Sequence, residues 1–272
     1  MKVRIPDKIE GEPVTGIGRE AFAESGIMYV YVPNSVTSIG DNAFLCCAGL
    51  TSITIPDDVT IIGHRAFSGC TALADVAYSG EVKVGFPVYF GGILWRVLEV
   101  QDGKALIISE DVLLKGMYHS VSEPTTWEEC DLRRYLNDDF CDSTFSEEEK
   151  GRILESMVIN DDNTERGVAG GNDTTDKVFI LDYSEVKQYF AEESAWLANN
   201  SNGKASWWYL RSPAFERGYS MDEYYFVSGI CNDGRLGAIC LDGNRSIDKT
   251  GVHYQNTSLD GNGIRPAMWI TL

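Results

Sequence analysis

Three times in its first third the chain spells nearly the same nine residues: VTGIGREAF from Val14, VTSIGDNAF from Val36 and VTIIGHRAF from Val59. A step of about 20–29 residues is the period of a solenoid coil. One such coil cannot bury its apolar face alone, so the copies must stack on one another. The repeat predicts three columns: Val14/Val36/Val59, Ile17/Ile39/Ile62 and Phe22/Phe44/Phe67. Short strands follow the first two copies, YVYVP and ITIP, each ended by a proline, Pro33 and Pro56. Cys47 and Cys70 each sit three residues after the Phe, where the first copy has Ser25. They read as a small buried rung, since a free Cys packs as a small apolar residue.

Beyond the repeats, a linker at 79–85 carries Gly80 and Gly85, and the stretches ILWRVLEV and KALIISE around QDG predict a hairpin. Three helix starts are marked by a capping residue with a carboxylate three positions on: Thr126 with Glu129, Ser146 with Glu149, and Asp182 with Glu185. The first predicted helix presents Leu132, Tyr135, Leu136 and Phe140, the second Ile153, Leu154 and Met157, the third Val186, Tyr189 and Phe190. Helical spacing makes these core faces.

The net charge of −18 excludes nucleic acid and anionic membrane surfaces as general partners, because phosphate contacts need Lys and Arg. The segment Val121–Glu165, with fourteen acids against four bases, is a solvated acidic face. No apolar run reaches the roughly 18 residues that span a bilayer, so no membrane insertion is expected. MKVRIPDKIEG lacks the apolar stretch of a signal peptide. The expectation is a surface or secreted protein if an export signal is missing from the sequence, and a cytoplasmic one otherwise. Three His, no C-x-x-C and an odd seven Cys fit no zinc pattern, so no metal or cofactor is expected. Asp242, Asn244 and Asp248 are the nearest approach to a calcium ligand set.

The last quarter is an apolar frame around a polar insert. WWYLRSP at Trp207–Pro213 and GIRPAMWITL at Gly263–Leu272 predict buried strands, with Arg211 and Arg265 structural. Half of the residues between them are Gly, Tyr, Asn, Asp or Ser, the composition of a recognition surface. Asp233-Gly234 predicts a two-residue hairpin turn that pairs Asn232 with Arg235, Cys231 with Leu236 and Val227 with Cys240. Val227, Gly229, Cys231, Leu236, Ala238 and Cys240 would then face the core. Tyr224, Phe226, Ser228, Ile230, Asn232, Arg235, Gly237 and Ile239 would form the outer face. The loop-like stretch that follows adds Asn244, Arg245, Asp248, His253, Tyr254 and Asn256, and Tyr219 precedes the hairpin. On this register Cys231 and Cys240 lie about 13 Å apart along the ladder, too far for a disulfide.

The repeats resemble the BspA-type leucine-rich repeats of bacterial surface proteins. FGGILWRVLEV, TWEECDLRRYLNDDF, FSEEEKGRI, WWYLRSP and GIRPAMWITL, in that order, resemble an uncharacterised bacterial domain family that often accompanies such repeats. That family is similar to the C-type lectin fold of formylglycine-generating enzymes and of the variable proteins of diversity-generating retroelements. The resemblance implies an α+β protein: a leucine-rich-repeat stack at 1–78 and a C-type-lectin-like domain of mixed helices and twisted antiparallel sheet at 86–272. It also implies that the segment before the last strand is the ligand face. The expected function is non-enzymatic binding of a protein or glycan through Tyr219, Tyr224, Phe226, Ser228, Asn232, Arg235, Asn244, Arg245, Asp248, His253, Tyr254 and Asn256. The alternatives are a divergent enzyme of the formylglycine-generating type and a structural adhesin or spacer. Against the enzyme stands the separation of the tail cysteines, and no G-x-S-x-G occurs.

Overall fold

The computed structural model describes the chain except residues 79, 122–124, 164–167, 201–202, 216–225, 241–244, 249–252 and 256–261. Side chains at 194, 214–215, 226, 238–240, 245–248 and 253–255 are also left undescribed. Two compact units emerge, one built on Met1–Asp111 and one on Val112–Asn200 with Lys204–Thr271.

The first unit contains the predicted stack. Its strands Lys2–Arg4, Tyr29–Tyr31, Ser52–Ile55 and Asp75–Tyr78 pair in parallel. A second row, Gly16–Ile17, Ser38–Ile39 and Ile61–Ile62, does the same. Each letter of the repeat has a physical reason. Phe22, Phe44 and Phe67 stack with centroids 5.3 Å apart at both steps. Ile39 and Val36 are fully buried, as are Ala43 and Ala66. Threonine builds a ladder: Thr37 Oγ1 donates to Thr15 O at 3.1 Å and Thr60 Oγ1 to Thr37 O at 3.4 Å. Glycine allows close approach, because a Cβ on Gly63 would lie 2.4 Å from Asp41 N. The two cysteines form the buried rung: Cys47 donates to Phe22 O at 3.0 Å and Cys70 to Phe44 O at 3.1 Å.

The stack is closed by the segment that follows it. Coil passes hydrogen bonds to coil, as in Glu24 N to Leu45 O and Cys46 N to Ser68 O. The third coil has no successor, and Asp111 supplies the missing acceptors. Its carboxylate takes Gly69 N at 2.7 Å and Ser68 Oγ at 2.6 Å. The Lys83 ammonium meets Asp57 O and Val59 O, and Arg96 Nη2 meets Gly63 O at 2.6 Å. Arg96 is neutralised by Glu110 at 3.1 Å, both buried. Phe86 stacks on Tyr78 at 5.4 Å and plugs the apolar end. Lys83 and Phe86 precede the predicted hairpin, which runs Ile93–Gln101 and Lys104–Ser109 around Asp102-Gly103, both at positive φ.

The second unit corrects the expected fold class. Strand makes up 36% and helix 12%, so the protein is mostly β, not α+β. The capping boxes at Ser146/Glu149 and Asp182/Glu185 do form. Their helices are short, Glu147–Lys150 and Tyr183–Tyr189. Ile153 and Leu154, expected on the second helix, form a strand paired with Ile270 and Trp269. Met157 lies in another strand and is 73% exposed. A cap can start a helix but cannot extend one, and sheet pairing won these residues. The first helix starts at Asp131 behind Cys130, not at Thr126, and passes through a π-helical turn at Leu136–Phe140. Leu132, Leu136 and Phe140 are buried as expected, whereas Tyr135 is exposed.

The main sheet of this unit has seven strands, in the spatial order Leu114–Gly116, Asn262–Ile264, Trp208–Phe215, Phe226–Ile230, Leu236–Cys240, Arg245–Asp248 and His253–Gln255. Both apolar anchors are strands, and Pro266 stands between Asn262–Ile264 and Ala267–Thr271, where the chain leaves one sheet for another. Arg211 is the buried hub. Nη1 donates to Ile180 O at 2.8 Å and Glu185 Oε2 at 2.5 Å. Nη2 donates to Ile159 O, Asp182 Oδ2 and Glu185 Oε1. One guanidinium thus ties the capping box of a helix to the central strand. Arg265 lies over the Trp208 ring at 4.8 Å and the Phe190 ring at 5.9 Å.

Two stability outcomes follow. Asp111→Ala leaves a backbone donor and a hydroxyl without their partner and should cost about 1–3 kcal/mol, read as a lower midpoint in thermal unfolding; Asp111→Asn should cost less. Arg211→Met strands two carboxylates at one buried point and should cost about 3–5 kcal/mol, measured by denaturant titration of the full chain.

Candidate functional site

The turn of the tail hairpin is built differently from the sequence expectation. It contains three residues, Asn232–Asp233–Gly234, between Cys231 and Arg235. Gly234 N donates to Cys231 O at 3.0 Å, and Cys231 N donates to Arg235 O at 2.7 Å. Gly234 has φ +84°. This is a type I turn closed by a glycine bulge, the usual three-residue hairpin. Gly234 also has no room for a side chain, because a Cβ would lie 2.7 Å from Glu193 O.

The extra turn residue moves the register by one. Ile230 pairs with Leu236, Ser228 with Ala238, and Phe226 with Cys240. A one-residue slip turns every position on a strand to the other face. Leu236 therefore shares a face with Ser228 and Ile230, not with Val227 and Gly229. The strand Phe226–Ile230 is covered on both sides: Val227, Ser228 and Ile230 are all buried. Ser228 donates to Pro213 O at 3.4 Å and is a member of the sheet interior, not of an outer face. Cys231 is buried.

The stretch after the hairpin, expected as a loop, contributes two more strands. Arg245 pairs with Gln255, Ser246 with Tyr254, and Ile247 with His253. The pattern carried too few apolar residues to be read as strand, because outermost strands need little burial. Of the other expected site residues, Asn232 and Arg235 are exposed in the turn, where Arg235 Nε lies 3.4 Å from Asp233 Oδ2. Tyr219, Tyr224, Asn244 and Asn256 lie outside the described residues. The structure thus places Asn232 and Arg235 in the turn, and Arg245, Asp248, His253 and Tyr254 on the two outermost strands.

Several described polar groups hold one another in place. His119 and Ser120 both turn to Asp131: Ser120 Oγ donates to Oδ2 at 2.6 Å and His119 Nδ1 lies 3.1 Å from the same oxygen. No relay from Ser through His to Asp is present in that trio, which a nucleophilic serine needs. Hydrogen bonds from Ser120 hold the Asp131 carboxyl below its ordinary range. Burial pushes the Cys130 thiol up to about 12 and the Cys70 thiol above the usual thiol range, so both stay protonated and unreactive. Asp176 is buried and accepts from Trp127 Nε1, Arg133 Nε and Thr174 Oγ1. Among the described residues no group of three or more His, Cys, Asp and Glu is placed to hold a metal ion. No described helix is long and apolar enough to cross a membrane.

A further surface lies on the repeat stack. The outward face of the four-stranded sheet in the stack runs in two rows, Lys2–Tyr29–Ser52–Asp75 and Arg4–Tyr31–Thr54–Ala77. Tyr29 is 37% and Tyr31 38% exposed, while Val30 between them is fully buried. The Arg4 guanidinium lies 4.6 Å over the Tyr31 ring. The signal was present as strict alternation in KVR and YVY, which puts every second residue outward.

Comparison with known proteins bears on both units. Residues 2–87 match the family described as BspA type leucine rich repeat region, in six copies. Residues 102–272 match the family described as domain of unknown function DUF6273. The likeness to the C-type lectin fold and to retroelement variable proteins finds no support in these matches. No curated protein matches the chain. A leucine rich cell surface protein from Faecalibacterium prausnitzii A2-165, known from a crystal structure, is 33% identical over the aligned part, with a TM-score of 0.27. The alignment covers 35% of this chain and 23% of that one, so the chain spans under a quarter of that protein's length. With more than half of its residues in the match, the chain belongs to the DUF6273 family and carries BspA-type leucine-rich repeats ahead of that domain.

Proposed function

We propose that this is a non-enzymatic binding protein of the bacterial cell surface, which recognises a protein or glycan through the end of its tail sheet. The observation that carries the reading is the construction of that sheet. Its inner strands are clamped by Arg211 and lined by the buried Trp208, Tyr209 and Leu210. Its outer strands and turn are rich in polar and aromatic residues. A rigid frame under such residues lowers the entropy lost on binding. The contact set is Asn232, Arg235, Arg245, Asp248, His253 and Tyr254, flanked in sequence by Tyr219, Tyr224, Asn244 and Asn256. Ser228 is left out of it, being buried. The surface placement is supported by the BspA-type repeats, which resemble those of bacterial surface proteins.

The test is a glycan array and a panel of immobilised extracellular glycoproteins, probed with the full chain and with an Asn232→Ala, Arg235→Ala, His253→Ala, Tyr254→Ala variant. The variant should keep its unfolding midpoint and lose at least tenfold in affinity for whatever the parent binds. A parent chain that binds nothing on either panel, or a folded variant that binds as well as its parent, rejects the tail as the recognition surface.

A further inference from the structure

We draw no further inference here: the strongest candidate, the polar loop between the strands Ser156–Val158 and Thr174–Asp176, where the buried Asn160 Oδ1 has no hydrogen-bond partner, carries nothing, because among the described residues no three His, Cys, Asp or Glu side chains gather there to complete a ligand set with it.

Discussion

A stack of parallel coils ends in a row of backbone groups that the next coil would have bonded, and the last coil has no successor. This constraint organises the first unit. A buried amide or carbonyl without a partner costs about 1–3 kcal/mol, and a terminal coil presents several. Here side chains stand in for backbone. The Asp111 carboxylate takes the place of a carbonyl under Gly69 N, while Lys83 and Arg96 take the place of amides over Asp57 O, Val59 O and Gly63 O. Terminal repeats of solenoids generally need such capping. With the end closed, the outward face of the sheet is free to carry residues that serve no packing purpose, Arg4 and Tyr31 among them.

The second unit solves a related problem with charge. Its central strand passes beside the first turn of a helix whose capping box brings two carboxylates, Asp182 and Glu185, to one point. Arg211 meets both and two carbonyls besides. Burial alone would lower the pKa of the guanidinium, and the hydrogen bonds it donates to Glu185, together with the negative charges of Glu185 and Asp182, more than offset that. A buried charge cluster of this kind contributes little net stability when complete and costs heavily when one member is missing. Its value is in position: the strand that leads into the tail sheet is locked to one place.

The sequence was most legible where its signal is local and repeated. The stacking of Phe22, Phe44 and Phe67 and the cysteine rung were readable because each coil restates the last, and errors in one copy are corrected by the next. The hairpin around QDG was readable for the same reason of locality, although Gln101 pairs with Lys104 and leaves only Asp102-Gly103 in the turn. The helical reading of the second unit went too far, since Ser146 and Asp182 mark beginnings without marking ends. Ile153 and Leu154 suit a helix as well as a strand, and the strand Ala267–Thr271, more than a hundred residues later, decided the matter. At the hairpin, Asp233-Gly234 announced a turn but not its length. In the three-residue turn Gly234 packs against Glu193, about forty residues distant in sequence, with no room for a Cβ.

By itself, then, the sequence determined the repeat, its columns, the anchors of the tail and the positions of the turns, because periodicity and turn chemistry act over a few residues. Only the tertiary structure decided which side chains reach solvent. Ser228 is buried because the strand Phe226–Ile230 is covered on both sides, as the burial of Val227 and Ile230 shows. Tyr29 and Tyr31 are exposed because strand alternation, once Val30 is committed to the core, leaves them nowhere else to point. Asp111 became a cap because folding brought it to the end of a stack more than forty residues upstream. Each of these outcomes depends on pairing between distant segments, and no local pattern encodes the partner.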